Sequence, residues 1–278
     1  MKYIHRKIQG IKDFEVFKKA HEKGRNILLK GPTGSAKTMG ATTYSLENNY
    51  EYVVIPCSQA TEPGSLFGRY IPKEDDDTFV WADGVITALV RKPGKKVLIL
   101  DEINMADPRI LASLYSLLDS NKTLHVIDHN EVIKVDDLLV IATMNPGYRG
   151  TKELNKALAN RFAYTIIWDY DNHVESTICP SPSFLGCVKS IRENGDLDTP
   201  FSTNMILEFM ESYKEFSFEF AINMTANKFD EEERSAIANI FNQKKVDIIR
   251  ELSREKDSKG RVRPIRSSNN YSWAGIDN

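Results

Sequence analysis

The chain has 278 residues, 41% hydrophobic and 27% charged, enough for one large domain and one small domain, each with its own core. A formal net charge of −2 gives no bulk attraction for nucleic acid or an anionic membrane, and no apolar run is long enough to cross a bilayer. Cys57, Cys179 and Cys187 are odd in number and form no CxxC pair, which argues against a disulfide framework, and Met1 to Gly10 lacks the apolar stretch of a signal peptide, so a cytoplasmic setting is expected.

Asp13 to Lys23 places Phe14, Phe17 and Ala20 at helical spacing before Gly24 stops the helix, and the run Asn26 to Lys30 predicts a strand. Further strands are predicted at Tyr52 to Ile55, Val97 to Leu100, Leu138 to Ala142 and Tyr164 to Trp168. They are separated by helix-compatible segments, the alternation expected of a parallel sheet sandwiched by helices. Residues 1–170 therefore read as one α/β domain. Two stretches, about 68–81 and 123–135, each set a polar turn between β-prone arms and are expected to be inserted hairpins. Between 171 and 252 we expect a small helical domain, with helices over Met205 to Tyr213, Phe218 to Asn227 and Asp230 to Ile249, the last capped by Asp230. Residues 253–278 carry Arg254, Lys256, Lys259, Arg261, Arg263 and Arg266 with little apolar periodicity and read as a flexible basic tail.

Three segments carry chemistry. Directly after the first strand comes Gly31-Pro32-Thr33-Gly34-Ser35-Ala36-Lys37-Thr38, followed by a helix. Glycines there allow backbone N–H groups to face a triphosphate. Lys37 suits the β and γ phosphates and the Thr38 hydroxyl suits Mg2+. The strict form of this loop has glycine where Ala36 stands, so the loop by itself also reads as a glycine-rich turn. The apolar run Val97 to Leu100 ends in Asp101-Glu102, at the strand end where ligands of open α/β sheets collect. Asp101 is placed to join the Mg2+ shell and Glu102 to take a proton from attacking water. The run Leu138 to Met144 ends in Asn145-Pro146, where an amide can orient that water or touch the γ-phosphate, although Asn-Pro alone is a turn signal. Leu154, Ala157 and Leu158 then predict a helix ending in Asn160-Arg161-Phe162, with Arg161 either a surface cation or an arginine finger for a neighbouring subunit. His125 and His129 fall on a hairpin with no cysteine nearby, which argues against a metal site. Asp75-Asp76-Asp77 reads as a solvated hairpin tip.

In order along the chain, these segments resemble the AAA+ ATPases of the MoxR and CbbQ/NorQ type, in the helix-2-insert branch with the McrB and dynein-like modules. The likeness spans Asn26 to Trp168 and includes Gly64 to Gly68, Trp81-Ala82-Asp83-Gly84, Asp101-Glu102-Ile103-Asn104 and Met144 to Gly150. The MoxR branch often has alanine at the Ala36 position. The resemblance implies a P-loop AAA+ fold with a C-terminal helical lid, ATP and Mg2+ as ligands, and ATP hydrolysis. Gly31, Gly34, Lys37 and Thr38 match Walker A, Asp101 and Glu102 match Walker B, Asn145 matches sensor 1 and Arg161 matches the arginine finger. It also implies a homo-oligomeric, hexameric ring whose insert hairpins meet a protein client, helped in trans by a von Willebrand A-domain adaptor. There is one departure: Phe201-Ser202-Thr203-Asn204 puts an amide where the family usually has the sensor 2 arginine, and a neutral amide cannot make a charge-assisted phosphate contact. The expected activity is chaperone-like remodelling of a partner protein. The alternatives are a nucleic-acid motor subunit of the McrB type, for which the chain carries no recognition domain, and a nucleotide-gated scaffold with little hydrolysis.

Overall fold

The computed structural model describes residues 3–73, 76–147, 153–193, 199–256 and 262–264. The chain divides into two compact units, Met1–Val174 with Ser202–Asn204, and Glu175–Phe201 with Met205–Asn278.

The first unit is built on a five-stranded sheet, whose strands we number in chain order: β1 (Ile27–Lys30), β2 (Glu51–Pro56), β3 (Lys96–Asp101), β4 (Leu138–Met144) and β5 (Tyr164–Ile167). All pairings are parallel and the order across the sheet is β5-β1-β4-β3-β2. Continuous apolar runs form these strands because both faces are covered. Leu28, Leu98, Leu100, Val140 and Ala142 point into one core, while Ile27, Leu29, Val97, Ile99, Leu139 and Ile141 point into another. The first core is closed by the helices Pro63–Phe67, Val85–Arg91 and Pro108–Leu118, the second by Asp13–Glu22, Lys37–Glu47 and the fully buried Trp168. Each large apolar side chain removed from water here contributes roughly 2 kcal/mol, so the positions of the strand ends are strongly determined.

Both inserts are hairpins: Gly68–Lys73 pairs antiparallel with Asp76–Asp83, and Thr123–Val126 with Glu131–Lys134. They are fastened to each other through His129, whose ring stacks on Trp81 at 4.5 Å and whose Nδ1 lies 3.1 Å from the Tyr70 hydroxyl. Tyr70 also meets the His129 ring edge-on at 6.0 Å, so both aromatic partners come from the first hairpin. Arg91 adds a two-pronged bond to Glu131 and a bond to Asp83. Of the acidic tip, Asp75 lies outside the described residues, as does the stretch Tyr148 to Gly150.

The second unit is helical, with a core that includes Phe184, Phe201, Phe209 and Phe241. Two helices here, Asn172–Ile178, which spans the boundary between the units, and Pro182–Glu193, were not separately predicted. The single helix expected over Asp230 to Ile249 is two, Glu231–Gln243 and Lys245–Leu252, because the backbone at Lys244 leaves the helical region (φ −106°, ψ 7°). Asp230 occupies the N-cap position but makes no side-chain capping bond there. The expected tail lies mostly outside the described residues, although Arg254–Lys256 pairs antiparallel with Val262–Pro264. Among the described residues no helix is long and apolar enough to cross a membrane.

Candidate nucleotide site

Because β4 lies between β1 and β3, the loop after β1, the carboxylates after β3 and the amide after β4 converge at one end of the sheet. The sequence-predicted residues meet there through a continuous chain of hydrogen bonds. The Thr38 hydroxyl, in the first turn of the helix Lys37–Glu47, donates to Asp101 Oδ1 at 2.5 Å. Thr143 Oγ1, from β4, donates to the same oxygen at 2.6 Å. The Thr143 hydroxyl in turn accepts the Glu102 backbone N–H at 2.9 Å, and Asn145 Nδ2 donates to Glu102 Oε1 at 2.8 Å. Asn104 Nδ2 holds the Asn145 carbonyl at 3.1 Å.

Thr143 and Asn104 are the members that sequence reasoning missed. Thr143 is the sole hydroxyl in the run Leu138 to Met144 and stands two residues before Asn145, hence on the same face of the strand. That signal was available. Glu102 itself sits at φ 54°, ψ 48°, the left-handed region that costs a non-glycine residue about 1–2 kcal/mol. The bonds from Thr143 and Asn145 hold it in that conformation.

The loop is equally constrained. A Cβ on Gly31 would lie 1.9 Å from the Trp168 carbonyl oxygen, so β5 can run on alongside β1 only because Gly31 has no side chain. Gly34 has φ +65° and lies against Ser202, so its conformation and its surroundings both require glycine. Ala36, at φ 65°, adopts the left-handed conformation that explains why glycine is the usual residue here, and its methyl group makes this a strained position.

The Lys37 ammonium lies beneath the loop and donates to Gly31 O at 2.9 Å and Pro32 O at 2.6 Å. Burial pushes its pKa down to about 8. Asp101 and Glu102 oppose that shift and Arg6 reinforces it. Asn204, at the sensor 2 position, does approach the loop: its backbone N–H donates to Gly34 O at 3.3 Å, and its Cβ would stand 3.6 Å from a Cβ on Gly34.

Arg161 is placed elsewhere. Its helix is shorter than predicted, Lys156–Ala159, because Asn155 caps it by accepting from Leu158 N, and Arg161 follows just before β5. It therefore stands at the N-terminal end of the sheet, away from its own loop. The guanidinium lies 4.5 Å over the Tyr115 ring, donates from Nη1 to Ala157 O, and has Nε 2.8 Å from Asp119 Oδ1, an ion pair without hydrogen-bond alignment. Beside it is a cavity of about 800 Å3 lined by Lys23, Arg25, Lys122, Lys134 and Asp119 among others.

The residues fit a nucleotide and a hard cation. Thr38 and Asp101 present adjacent oxygen donors, the set Mg2+ prefers. Buried Oδ1 of Asn145 accepts no bond from any described residue, so it can accept a hydrogen bond from a water held beside Glu102.

Comparison with known proteins identifies the family of the domain. Residues 26–162 match the AAA domain, dynein-related subfamily. An uncharacterized protein of Staphylococcus epidermidis is 34% identical over 203 residues, covering 70% of this chain and 76% of its own. Another from Staphylococcus aureus strain USA300 is 35% identical over 192 residues, covering 66% and 72%. A crystal structure from Cytophaga hutchinsonii, of a protein provisionally classed as an ATPase, aligns over 90% of this chain and 82% of its own, with 20% identity and a TM-score of 0.46.

Proposed function

Because this chain belongs to the AAA+ ATPases, through the dynein-related AAA domain at residues 26–162, we propose that it binds ATP with Mg2+ at the Gly31–Thr38 loop and hydrolyses it as a ring of identical subunits. What carries the reading is the bonded series Thr38–Asp101–Thr143–Glu102–Asn145. It places a cation-binding pair and a base–amide pair side by side, next to a loop whose backbone suits phosphate.

In this reading the loop N–H groups and Lys37 hold the triphosphate, and Thr38 and Asp101 would hold Mg2+. When bound, the cation neutralises charge on the β and γ phosphates. Glu102 Oε1, fixed by Asn145, takes a proton from the attacking water, and Asn145 orients that water. The family resemblance further suggests a hexamer and chaperone-like work on a protein client, with a von Willebrand A-domain adaptor in trans. Supporting a client contact are apolar side chains left exposed on the joined hairpins, Phe79, Val80, Ile127 and Val132.

The test pairs two substitutions. Lys37→Ala should abolish ATP binding by calorimetry. Glu102→Gln should keep binding while turnover falls about 10²–10⁴-fold, because the amide retains shape but loses the basic oxygen. Unchanged affinity in the first variant, or wild-type turnover in the second, would remove that residue from the mechanism. A client held by Glu102→Gln and released by the wild type would support remodelling.

A further inference from the structure

The phosphate loop is held from behind by residues that no loop motif contains. In a trans peptide the C=O and the following N–H point in opposite directions, so whatever holds a carbonyl also aims the next residue's N–H. The Thr33 carbonyl accepts the Tyr170 hydroxyl at 3.1 Å, and the Gly34 carbonyl accepts the Asn204 N–H at 3.3 Å. The Ser35 carbonyl accepts two donors, Arg6 Nη2 at 2.9 Å and Trp168 Nε1 at 3.0 Å. The N–H groups thereby turned to the opposite side are those of Gly34, Ser35 and Ala36, and none donates to another described residue. Three successive amides so directed form an anion nest.

Arg6 is the unusual member. It is 6% exposed, lies over the Trp168 ring at 4.3 Å, and donates from Nη1 to Asp169 O at 2.7 Å. Its Nε has no partner, and no carboxylate comes within ion-pair distance of it among the described residues. A buried cation with no carboxylate in direct contact is costly, and burial pulls the Arg6 pKa down although Asp171 and Asp13 attract it through space. The segment that carries Arg6 is nonetheless firmly anchored. The Asp13 carboxylate, itself fully buried, accepts from the Arg6 backbone N–H at 3.1 Å, from the Tyr3 hydroxyl at 2.6 Å and from Phe14 N at 2.8 Å, and His5 Nδ1 lies 3.0 Å away. The fold therefore maintains directly behind the loop a positive charge that no carboxylate contacts directly and that Asp13 and Asp171 offset only through space.

We propose that Arg6 is a positioning residue for the phosphate site: with Trp168 it fixes the Ser35 carbonyl so that the Ala36 N–H faces the phosphates, and its charge is balanced by the bound triphosphate. Tyr170 does the same for the Gly34 N–H by hydrogen bonding alone. This rests on reading Gly31 to Thr38 as the nucleotide site.

The experiment measures binding of inorganic pyrophosphate and of ATP by calorimetry, on the full chain, for the wild type, Arg6→Gln, Arg6→Lys, Trp168→Phe and Tyr170→Phe, with melting temperature recorded for each. Expected is at least a tenfold loss of pyrophosphate affinity in Arg6→Gln. Partial recovery is expected in Arg6→Lys, which restores charge but not the fork, and losses of a few-fold in Trp168→Phe and Tyr170→Phe, which each remove a single donor. The ATPase KM should rise more than kcat falls. Melting temperatures that drop while pyrophosphate affinity stays at the wild-type value would reduce Arg6 to a structural role and overturn the proposal. Should Arg6→Gln fail to fold, the ordering of the other three variants still decides. Failure of the wild type itself to bind pyrophosphate or ATP would instead overturn the nucleotide reading, and the proposal with it.

Discussion

At the C-terminal ends of β1, β3 and β4, the polar groups of the chain engage one another. Asp101 takes two hydroxyls, Glu102 takes an amide, and the loop carbonyls from Gly31 to Ser35 all accept hydrogen bonds. At the N-terminal ends of the same strands the pattern is different. Arg161 has its Nε without an aligned hydrogen bond among the described residues and borders an open cavity lined by Lys23, Arg25 and Lys134 together with the carboxylates of Asp119, Asp136 and Asp137. There Lys122, 5% exposed, donates to Asn26 Oδ1 as its one side-chain bond among the described residues, and burial pushes its pKa down to about 8. The first end is a set of polar groups already bonded to one another within one chain. The second is a surface whose charges are underused within one chain, as expected if another copy supplies what they face.

The sharpest way to break this comparison is Arg161→Ala. If the guanidinium serves a neighbour's phosphate, turnover should fall about 10³-fold or more while ATP affinity is nearly unchanged. Mixing this variant with Lys37→Ala should then restore activity, since each contributes the part that the other lacks. Inactive mixtures in which mass measurements show mixed assemblies would refute action in trans. The distance between the two ends makes the alternative, action on its own site, the weaker reading: Arg161 precedes β5, whereas the loop follows the far end of its neighbour β1.

Lys37 sharpens the comparison from the other side. Its pKa is held down to about 8 by burial, and a bound triphosphate would raise it. Between those two values the complex binds more protons than the free protein, so affinity should fall as pH rises above about 8, by up to roughly tenfold per pH unit. Below that pH the lysine is charged in both states and affinity should be flat. Calorimetry in buffers of different ionisation enthalpy should show proton uptake near pH 8.5, and a pH-independent affinity between pH 7 and 9.5 would show that the ammonium is not what senses phosphate. The folding linkage has its own sign. A lysine depressed in the folded state binds fewer protons there than when unfolded, so its share of stability rises between about pH 8 and the ordinary lysine value.

Local patterns disclosed the strands, the hairpins and the chemistry-bearing ends of β1, β3 and β4, because those are consequences of continuous apolar runs, of polar turns between β-prone arms and of short motifs. What could not be read was long-range pairing. Arg6 meets Ser35 and Asp169, and Tyr115 with Asp119 forms the seat of Arg161, through contacts that leave no local periodicity. Trp168 was read as the end of a strand, but its indole N–H at the Ser35 carbonyl follows from how β5 lies against β1. The break at Lys244 escaped for a different reason: neither glycine nor proline marks it, and the helices on either side each keep an apolar stripe, Ile237 and Phe241 in one and Ile248 and Leu252 in the other.

The smallest expected effect concerns Asn204, the amide at the position where the family resemblance leads one to expect an arginine. The Asn204 Cβ faces Gly34, so a longer side chain at this position starts beside the loop rather than in bulk solvent. The backbone bond from Asn204 N to Gly34 O does not depend on the side chain, so substitution should leave the loop geometry intact. Asn204→Arg adds donors that can reach phosphate oxygens, and a charge-assisted bond is worth about 1.5–3 kcal/mol when well formed. The added guanidinium also joins Lys37 and Arg6, whose repulsion offsets part of that gain. The net expectation is ATP binding tightened several-fold, with turnover raised by a similar factor if the lid's contact with phosphate limits the rate. Titration calorimetry and steady-state hydrolysis on the same preparation separate these outcomes. Tighter binding with unchanged turnover would place the new charge in the ground state alone. Affinity and turnover both at the wild-type level would mean that position 204 does not face the phosphates once nucleotide is bound, and that the cations already present do the work of the missing arginine.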